Sequence, residues 1–234
     1  MVSTHDEDRL LLSCCAISHT PVVEDYLKTI FALSSHGGGA TTSELAGCLG
    51  VAPPTVSAML RRLEANGLIR RSDDHRIGLT EHGERHALGV VRRHRLVEAF
   101  LARVLGVPWD EVHAEAEVLE HAISARLEER MDIFLDHPTH DPHGDPIPPP
   151  SGQHVETWAS PLAGAAPDSR FVVERVSDRD SAVLRYLAGL GVRPGAVLAV
   201  LEWSPFGGPL WVEIDGQRHP LGAGLVQAVH GRTI

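Results

Sequence analysis

The run from Thr41 to Thr80 constrains the fold of this chain more than any other part of it. In TTSELAGCLGV, Thr41 and Glu44 have the spacing of a capping box, Leu45, Ala46 and Leu49 give a short apolar face, and Gly50 suits a left-handed helix end. Pro53-Pro54-Thr55 then opens TVSAMLRRLEANG, which Asn66-Gly67 closes. Two short helices joined by a few residues predict a helix-turn-helix, with Arg61 and Arg62 on its second helix. LIRRSDDHRIGLT alternates apolar and polar residues about Asp73-Asp74-His75. That predicts a two-stranded hairpin, a wing carrying Arg70, Arg71 and Arg76. Arginines on a small domain are often only solvated. Gathered on a second helix and a wing tip, these suit DNA phosphates better. The same placement turns Pro54, Thr55, Ser57 and Ala58 toward base edges.

Composition bounds what surrounds this element. The chain has 234 residues, enough for one large domain or two to three small ones with a real core. Its net charge of -10 argues against non-specific nucleic-acid binding by the whole molecule, though not against a local basic patch. No stretch approaches the roughly 18 consecutive apolar residues of a membrane span. The N-terminus lacks a basic region followed by an apolar run, so no secretion signal is expected. Cys14, Cys15 and Cys48 form no CxxC pair, which fits a reducing cytoplasm.

The 15 histidines are the unusual feature, and they gather near acids. In HAEAEVLEH, read as part of a helix from Trp109 to Ala122, His113, Glu117, Glu120 and His121 fall at spacings of one helical face. Val112, Ala116, Leu119 and Ala122 give them an apolar neighbourhood. His94 and Glu98 stand four apart on the preceding helix, which runs from Thr80 toward Gly106. Charged helix surfaces commonly look like this. The apolar setting favours a shared metal patch.

Around these stretches the chain divides as follows. Residues 1 to 20 read as a loose extension. VVEDYLKTIFAL repeats apolar residues at helical spacing, with Asp25 one residue off the stripe. Residues 21–87 form the winged helix-turn-helix and 88–150 a helical part, including a helix capped by Ser124. Its long apolar faces, with no sheet to cover, predict helix packing between two subunits. THDPHGDPIPPPSG is a turn segment holding Asp141 and His143 two apart, and 151–168 reads as a linker. In 169–234, FVVERV, VLAVLEW and LWVEIDG read as strands and Ser181 to Leu190 as a helix. Asp215-Gly216 makes a hairpin turn, and the whole suggests a small barrel. Asp178-Arg179-Asp180 sits between its first strand and helix. The fold class is mainly α with small β parts.

VEDYLKTIF, APPTVSAMLRRLEANGLI with LTEHG, RHRLVE, VHAEAEVLEH and HPTHDPHGDPIP, in this order and spacing, give a chain that resembles the diphtheria-toxin-repressor family of metal-dependent transcription regulators. The likeness is greatest to its manganese-responsive branch and runs from about Pro21 to the C-terminus. The resemblance implies a winged helix-turn-helix, a helical dimerisation domain and a C-terminal SH3-like β-barrel. It implies a primary ion site of Asp25, Glu117, Glu120 and His121, with His94 close by. It also implies a second site of Glu98, Asp141, His143 and an acid of the C-terminal domain, Asp178 with Asp180 in reserve. His113 matches an ancillary ligand of iron-responsive members. The chain departs from the family at Asp141, where the loop usually carries Cys, and at Lys28, where some manganese regulators carry Glu. It departs again at Ala58, where iron-type repressors have Gln.

The expected function is a Mn²⁺-activated repressor of metal-uptake genes, a homodimer reading a palindromic double-stranded operator in the cytoplasm, away from membranes. Three carboxylates and an imidazole make a hard-oxygen site, with Co²⁺ or Zn²⁺ as surrogate ions. An Fe²⁺-dependent regulator is the alternative within the class. From other classes come a metallohydrolase, for which no nucleophile or general base is evident, and a metal buffer or adaptor using its SH3-like part.

Overall fold

A computed structural model describes residues 20–35, 38–152 and 159–234. The expected N-terminal extension, apart from Thr20, lies outside them, as does most of the first half of the expected linker. The chain separates into two compact units. One holds the chain up to Arg93 with Glu120–Glu129 and Pro148–His154, and the other holds His94–Leu119, Arg130–Ile147 and Val155–Ile234.

The first unit begins with α1, Pro21–Ser34, whose N-cap Thr20 accepts from the amide of Val23. Its stripe of Val23, Tyr26, Leu27, Ile30 and Phe31 is buried against Leu45, Val56, Leu60 and Leu63. Those four come from α2, Thr42–Leu49, and α3, Pro53–Ala65. Thr41 and Glu44 close the expected capping box at the start of α2. Gly50 ends it at φ 64°, a conformation that costs an L side chain roughly 1–2 kcal/mol. After α3, Gly67 takes φ 68° and the amide of Leu68 returns to the carbonyl of Leu63, a Schellman-type ending. The wing is β1, Ile69–Arg71, paired antiparallel with β2, Ile77–Leu79. Ala40 adds a reciprocal pair of 2.8 Å hydrogen bonds to Ile77. Thr80 then caps α4, Glu81–Phe100, donating its hydroxyl to Gly67 and accepting from Gly83. At Gly83 a Cβ would meet the Leu68 carbonyl oxygen at 1.9 Å, so glycine lets the helix start sit directly on the wing.

In the second unit α4 passes into a π-helical turn, Leu101–Leu105, stopped by Gly106 at φ 67°. Next come α5, Val112–Leu119, and α6, Ala125–Phe134, whose first half, through Glu129, belongs to the first unit. The sequence reading carried α5 on to Ala122. The helix instead ends at Leu119, and the carbonyl of Glu120 accepts from the guanidinium of Arg93 at 3.0 Å. His113, Glu117, Glu120 and His121 therefore do not share one helical face.

The C-terminal sheet is antiparallel throughout, in the order β3-β8-β4-β5-β6-β7. Its strands are β3 Ser160–Pro161, β4 Ser169–Val176, β5 Val197–Trp203, β6 Leu210–Ile214, β7 Gln217–Leu221 and β8 Val229–Thr233. Helix α7, Ser181–Gly189, and a short α8, Ala223–Ala228, complete it. Asp215 and Gly216 both take positive φ in the tight turn that pairs Ile214 with Gln217. Ser160–Pro161 pairs with β8, and Leu162 behind it is fully buried. The sheet thus starts within the stretch read as a linker, because Leu162 and Ala165 belong to its core. No helix among the described residues is long and apolar enough to cross a membrane.

Candidate metal centre

In the first unit, α1 and the turn after α5 bring Asp25, Glu120 and His121 together. The Nε2 atom of His121 is 2.9 Å from Asp25 Oδ1 and 3.4 Å from Glu120 Oε1. Its other ring nitrogen bonds Glu24 Oε2 at 2.6 Å, and Arg93 holds the second oxygen of Glu24 at 2.8 Å. A carboxylate on one imidazole nitrogen fixes the ring and leaves the other aimed at an ion. Glu24 escapes sequence reasoning because an acid in a first helical turn already has an explanation in the helix dipole. Glu120 is fully buried, and its Oε1 accepts from Lys28 at 2.7 Å. Burial raises the pKa of Asp25, against His121 and Lys28, which lower it.

The second unit assembles two groups that share Glu98. One is His94, Glu98, His113 and Asp178, and the other is Glu98, Asp141 and His143. Glu98 Oε1 lies 3.0 Å from His94 Nε2 and 3.2 Å from His113 Nδ1, which is itself 3.0 Å from Asp178 Oδ2. Burial would raise Glu98, but the imidazoles of His94, His113 and His143 hold it well below the usual carboxylate range. Burial opposes charge on His113, yet the Asp178 and Glu98 carboxylates lift its pKa to about 10. Burial likewise works against the Asp178 anion, and the His113 hydrogen bond brings it down to about 2. Glu117 Oε1 stands 3.6 Å from His113 Nε2 and 3.9 Å from His94 Nδ1. His94 therefore lies with Glu98 and His113, and it also stands near Glu117, a residue expected in the primary group. Asp180 does not join: its carboxylate caps α7 through the amides of Ala182 and Val183.

Asp141 and His143 come from a tight turn in which Asp141 Oδ1 accepts from the amides of His143 and Asp145. Gly144 has φ +90°, and a Cβ there would sit 2.0 Å from the Glu174 carbonyl oxygen, so only glycine lets the turn press onto β4. The Val176 amide then reaches the His143 carbonyl at 2.9 Å. His143 Nε2 donates to the Trp109 carbonyl at 2.6 Å, and its Nδ1 faces Glu98 Oε1 at 3.8 Å. Burial, with the Asp145 and Glu98 charges, raises Asp141 well above its usual pKa. Asp145 beneath it is bound by Arg95 and Arg175.

These residues fit a divalent cation. Glu98 Oε2 and His143 Nδ1 are buried without a hydrogen-bond partner, an arrangement that is costly unless something else satisfies them. In each group the donor atoms lie within 4.8 Å of one another and are oxygens and imidazole nitrogens. Cys48, the free cysteine among the described residues, is exposed on α2 and belongs to none of them.

On the helix-turn-helix, Pro54, Thr55, Ala58, Arg61 and Arg62 are exposed on α3 and Ser57 is half-buried. Arg70 and Arg71 are exposed on the wing, Arg71 reaching Glu64 at 3.3 Å. Arg76 turns back on the Gly39 carbonyl at 3.2 Å and toward Glu44.

A helix-turn-helix with a wing, a helical part carrying clustered metal-ligand residues and a C-terminal β domain define the class. The family models agree with each part. Residues 19–75 match the N-terminal DNA-binding domain of iron dependent repressors, 80–149 their metal binding and dimerisation domain, and 160–232 the FeoA domain. The iron-dependent repressor of Mycobacterium leprae is 36% identical over 201 residues, 79% of this chain and 85% of that protein. The iron-dependent repressor of Mycobacterium tuberculosis is 43% identical over 142 residues, 61% of this chain and 60% of that protein's length. A solved manganese-dependent transcriptional repressor in complex with manganese has a TM-score of 0.85 at 41% identity, covering 91% of this chain and 100% of that one. The chain belongs to the iron-dependent repressor, or diphtheria toxin repressor, family, and its C-terminal domain is SH3-like.

Proposed function

We propose that the protein is a homodimeric transcriptional repressor that binds a palindromic operator when loaded with Mn²⁺. The observation that carries this reading is the set of buried and half-buried oxygen and imidazole donors, without a thiolate among the described residues, in a chain that also presents an exposed helix-turn-helix. Soft sulfur ligands favour ions late in the Irving–Williams order, and Mn²⁺ is the weakest binder of that series. Asp25, Glu120 and His121 would hold one ion, and Glu98, His113, His143, Asp141, Asp178 and His94 supply the donors for the other. When bound, the ion supplies two positive charges and a common centre for acids that otherwise repel. Asp25 and His121 then tie α1 to the turn after α5, and α1 shares one apolar core with the recognition helix. Holding that helix in one position favours a single spacing of the two recognition helices on DNA.

Residues 21–87 are assigned to DNA binding and 88–150 to dimerisation and ion binding. Leu105, Val118, Ile133 and Phe134 of the second unit are exposed apolar side chains that a second copy would cover. Fe²⁺ is the second reading, favoured by the 43% identity to an iron-dependent repressor. Capture of genomic fragments under anaerobic conditions with Mn²⁺, with Fe²⁺ and with chelator tests both. Enrichment of one palindrome with Mn²⁺ alone supports the proposal, enrichment with Fe²⁺ alone supports the second reading, and equal recovery in chelator removes both.

A further inference from the structure

Lys28 is on α1, three residues after Asp25, and its ammonium grips the same Glu120 oxygen that faces His121. Glu120 is fully buried and the Lys28 side chain is 16% exposed. An ion held by Asp25, His121 and the Glu120 oxygen that faces His121 takes that oxygen, and a divalent cation and an ammonium cannot both sit against it. Arg93, a second cation near the group, is placed differently. It holds Glu24, the carboxylate that orients His121, and the Glu120 carbonyl, so it can stay in place on loading.

We propose that Lys28 is a tethered competitor for the ion. In the metal-free protein it neutralises Glu120, and on loading it withdraws, so that it raises the ion concentration at which this group fills. The inference rests on the ion site proposed above and deepens it, assigning a threshold-setting role to a side chain that donates to no metal. Removing the ammonium has two effects of one sign. The metal-free state loses the partner of a buried carboxylate, and the loaded state loses a like charge beside the ion.

The test uses the full chain as Lys28→Met, which keeps the aliphatic stem, and Lys28→Arg, which keeps the charge. Mn²⁺ affinity is read by competition with a chromophoric chelator. The binding event abolished by His121→Ala is assigned to this group. Lys28→Met should tighten that event by about tenfold or more, and Lys28→Arg should stay within about threefold of the parent. Thermal unfolding supplies the second readout. Lys28→Met should lower the midpoint without metal yet match or exceed the parent with saturating Mn²⁺. Unchanged or weaker affinity, or an equal loss of midpoint with and without Mn²⁺, overturns the inference and marks Lys28 as a structural ion pair only. If His121→Ala abolishes no binding event, the ion site itself fails, whatever Lys28 does.

Discussion

At the residue scale, Gly144 governs how Asp141 and His143 meet Glu98. Its φ of +90° and the 2.0 Å that would separate a Cβ from the Glu174 carbonyl leave no room for alanine without moving backbone. Gly144→Ala should destabilise the metal-free protein by about 1–3 kcal/mol and weaken ion binding by the Glu98 groups. A calorimetric scan and a chelator competition matching the parent would show that the turn has slack. His113 gives a pH prediction. Its folded-state pKa near 10 lies above the 6.5 of a free imidazole, so its charged pairing stabilises the metal-free protein in full below 6.5 and is lost as pH rises toward 10. Ligation needs the neutral ring, so ion binding at pH 7.5 should release about one proton, and affinity should rise roughly tenfold per pH unit. Calorimetry in two buffers of different ionisation enthalpy would measure that release, and none would exclude His113 as a ligand. The ligand types were legible because Asp, Glu and His at helical spacing stand out. Glu24 and the choice of Asp178 over Asp180 were not, since both depend on partners about 65 or more residues away: His121 for Glu24 and His113 for Asp178.

At the element scale, those ends that carry their own signal were readable in advance. Thr41 with Glu44, Asn66-Gly67 and Asp215-Gly216 act through the backbone within a few residues. The end of α5 is different, because the group that donates to the carbonyl just past it, Arg93, is on another helix. The π-helical turn at Leu101–Leu105 likewise has no local mark in the sequence. The arginines of α3 and the wing divide in the same way. Arg61 and Arg62 are exposed, and among the described residues they make no ion pair, whereas Arg76 is held by the Gly39 carbonyl. Arg61→Ala or Arg62→Ala should therefore lower the slope of log affinity for DNA against log salt by about one unit each. Arg76→Ala should change that slope less and loosen the wing more. Equal slopes for all three variants would mean that Arg76 swings out to the phosphates.

For the molecule as a whole, exposed Leu105, Val118, Ile133 and Phe134 predict association that does not wait for metal. Sedimentation in chelator should give twice the 25.3 kDa chain mass, and a monomer would count against this surface as an interface. Excess Mn²⁺ at about 100 times its dissociation constant should add roughly 2.7 kcal/mol of stability. The order of the parts along the chain was legible from alternation and capping. The pairing order of the C-terminal sheet was not. Ser160 joins Gly231 across the whole domain, and only the buried Leu162 explains why so short a strand stays.

Glu98 serves both groups of the second unit with a single carboxylate, and this bears on stoichiometry. Seven ligand positions add up to six residues there, because one of them is counted twice. An ion that takes both oxygens of Glu98 leaves Asp141 and His143, or else His94, His113 and Asp178, short of a donor. Occupancy in that unit should then saturate at one equivalent, or reach a second only with a much weaker constant. A mixture of two metals should yield competing populations there rather than an ordered heterometallic pair.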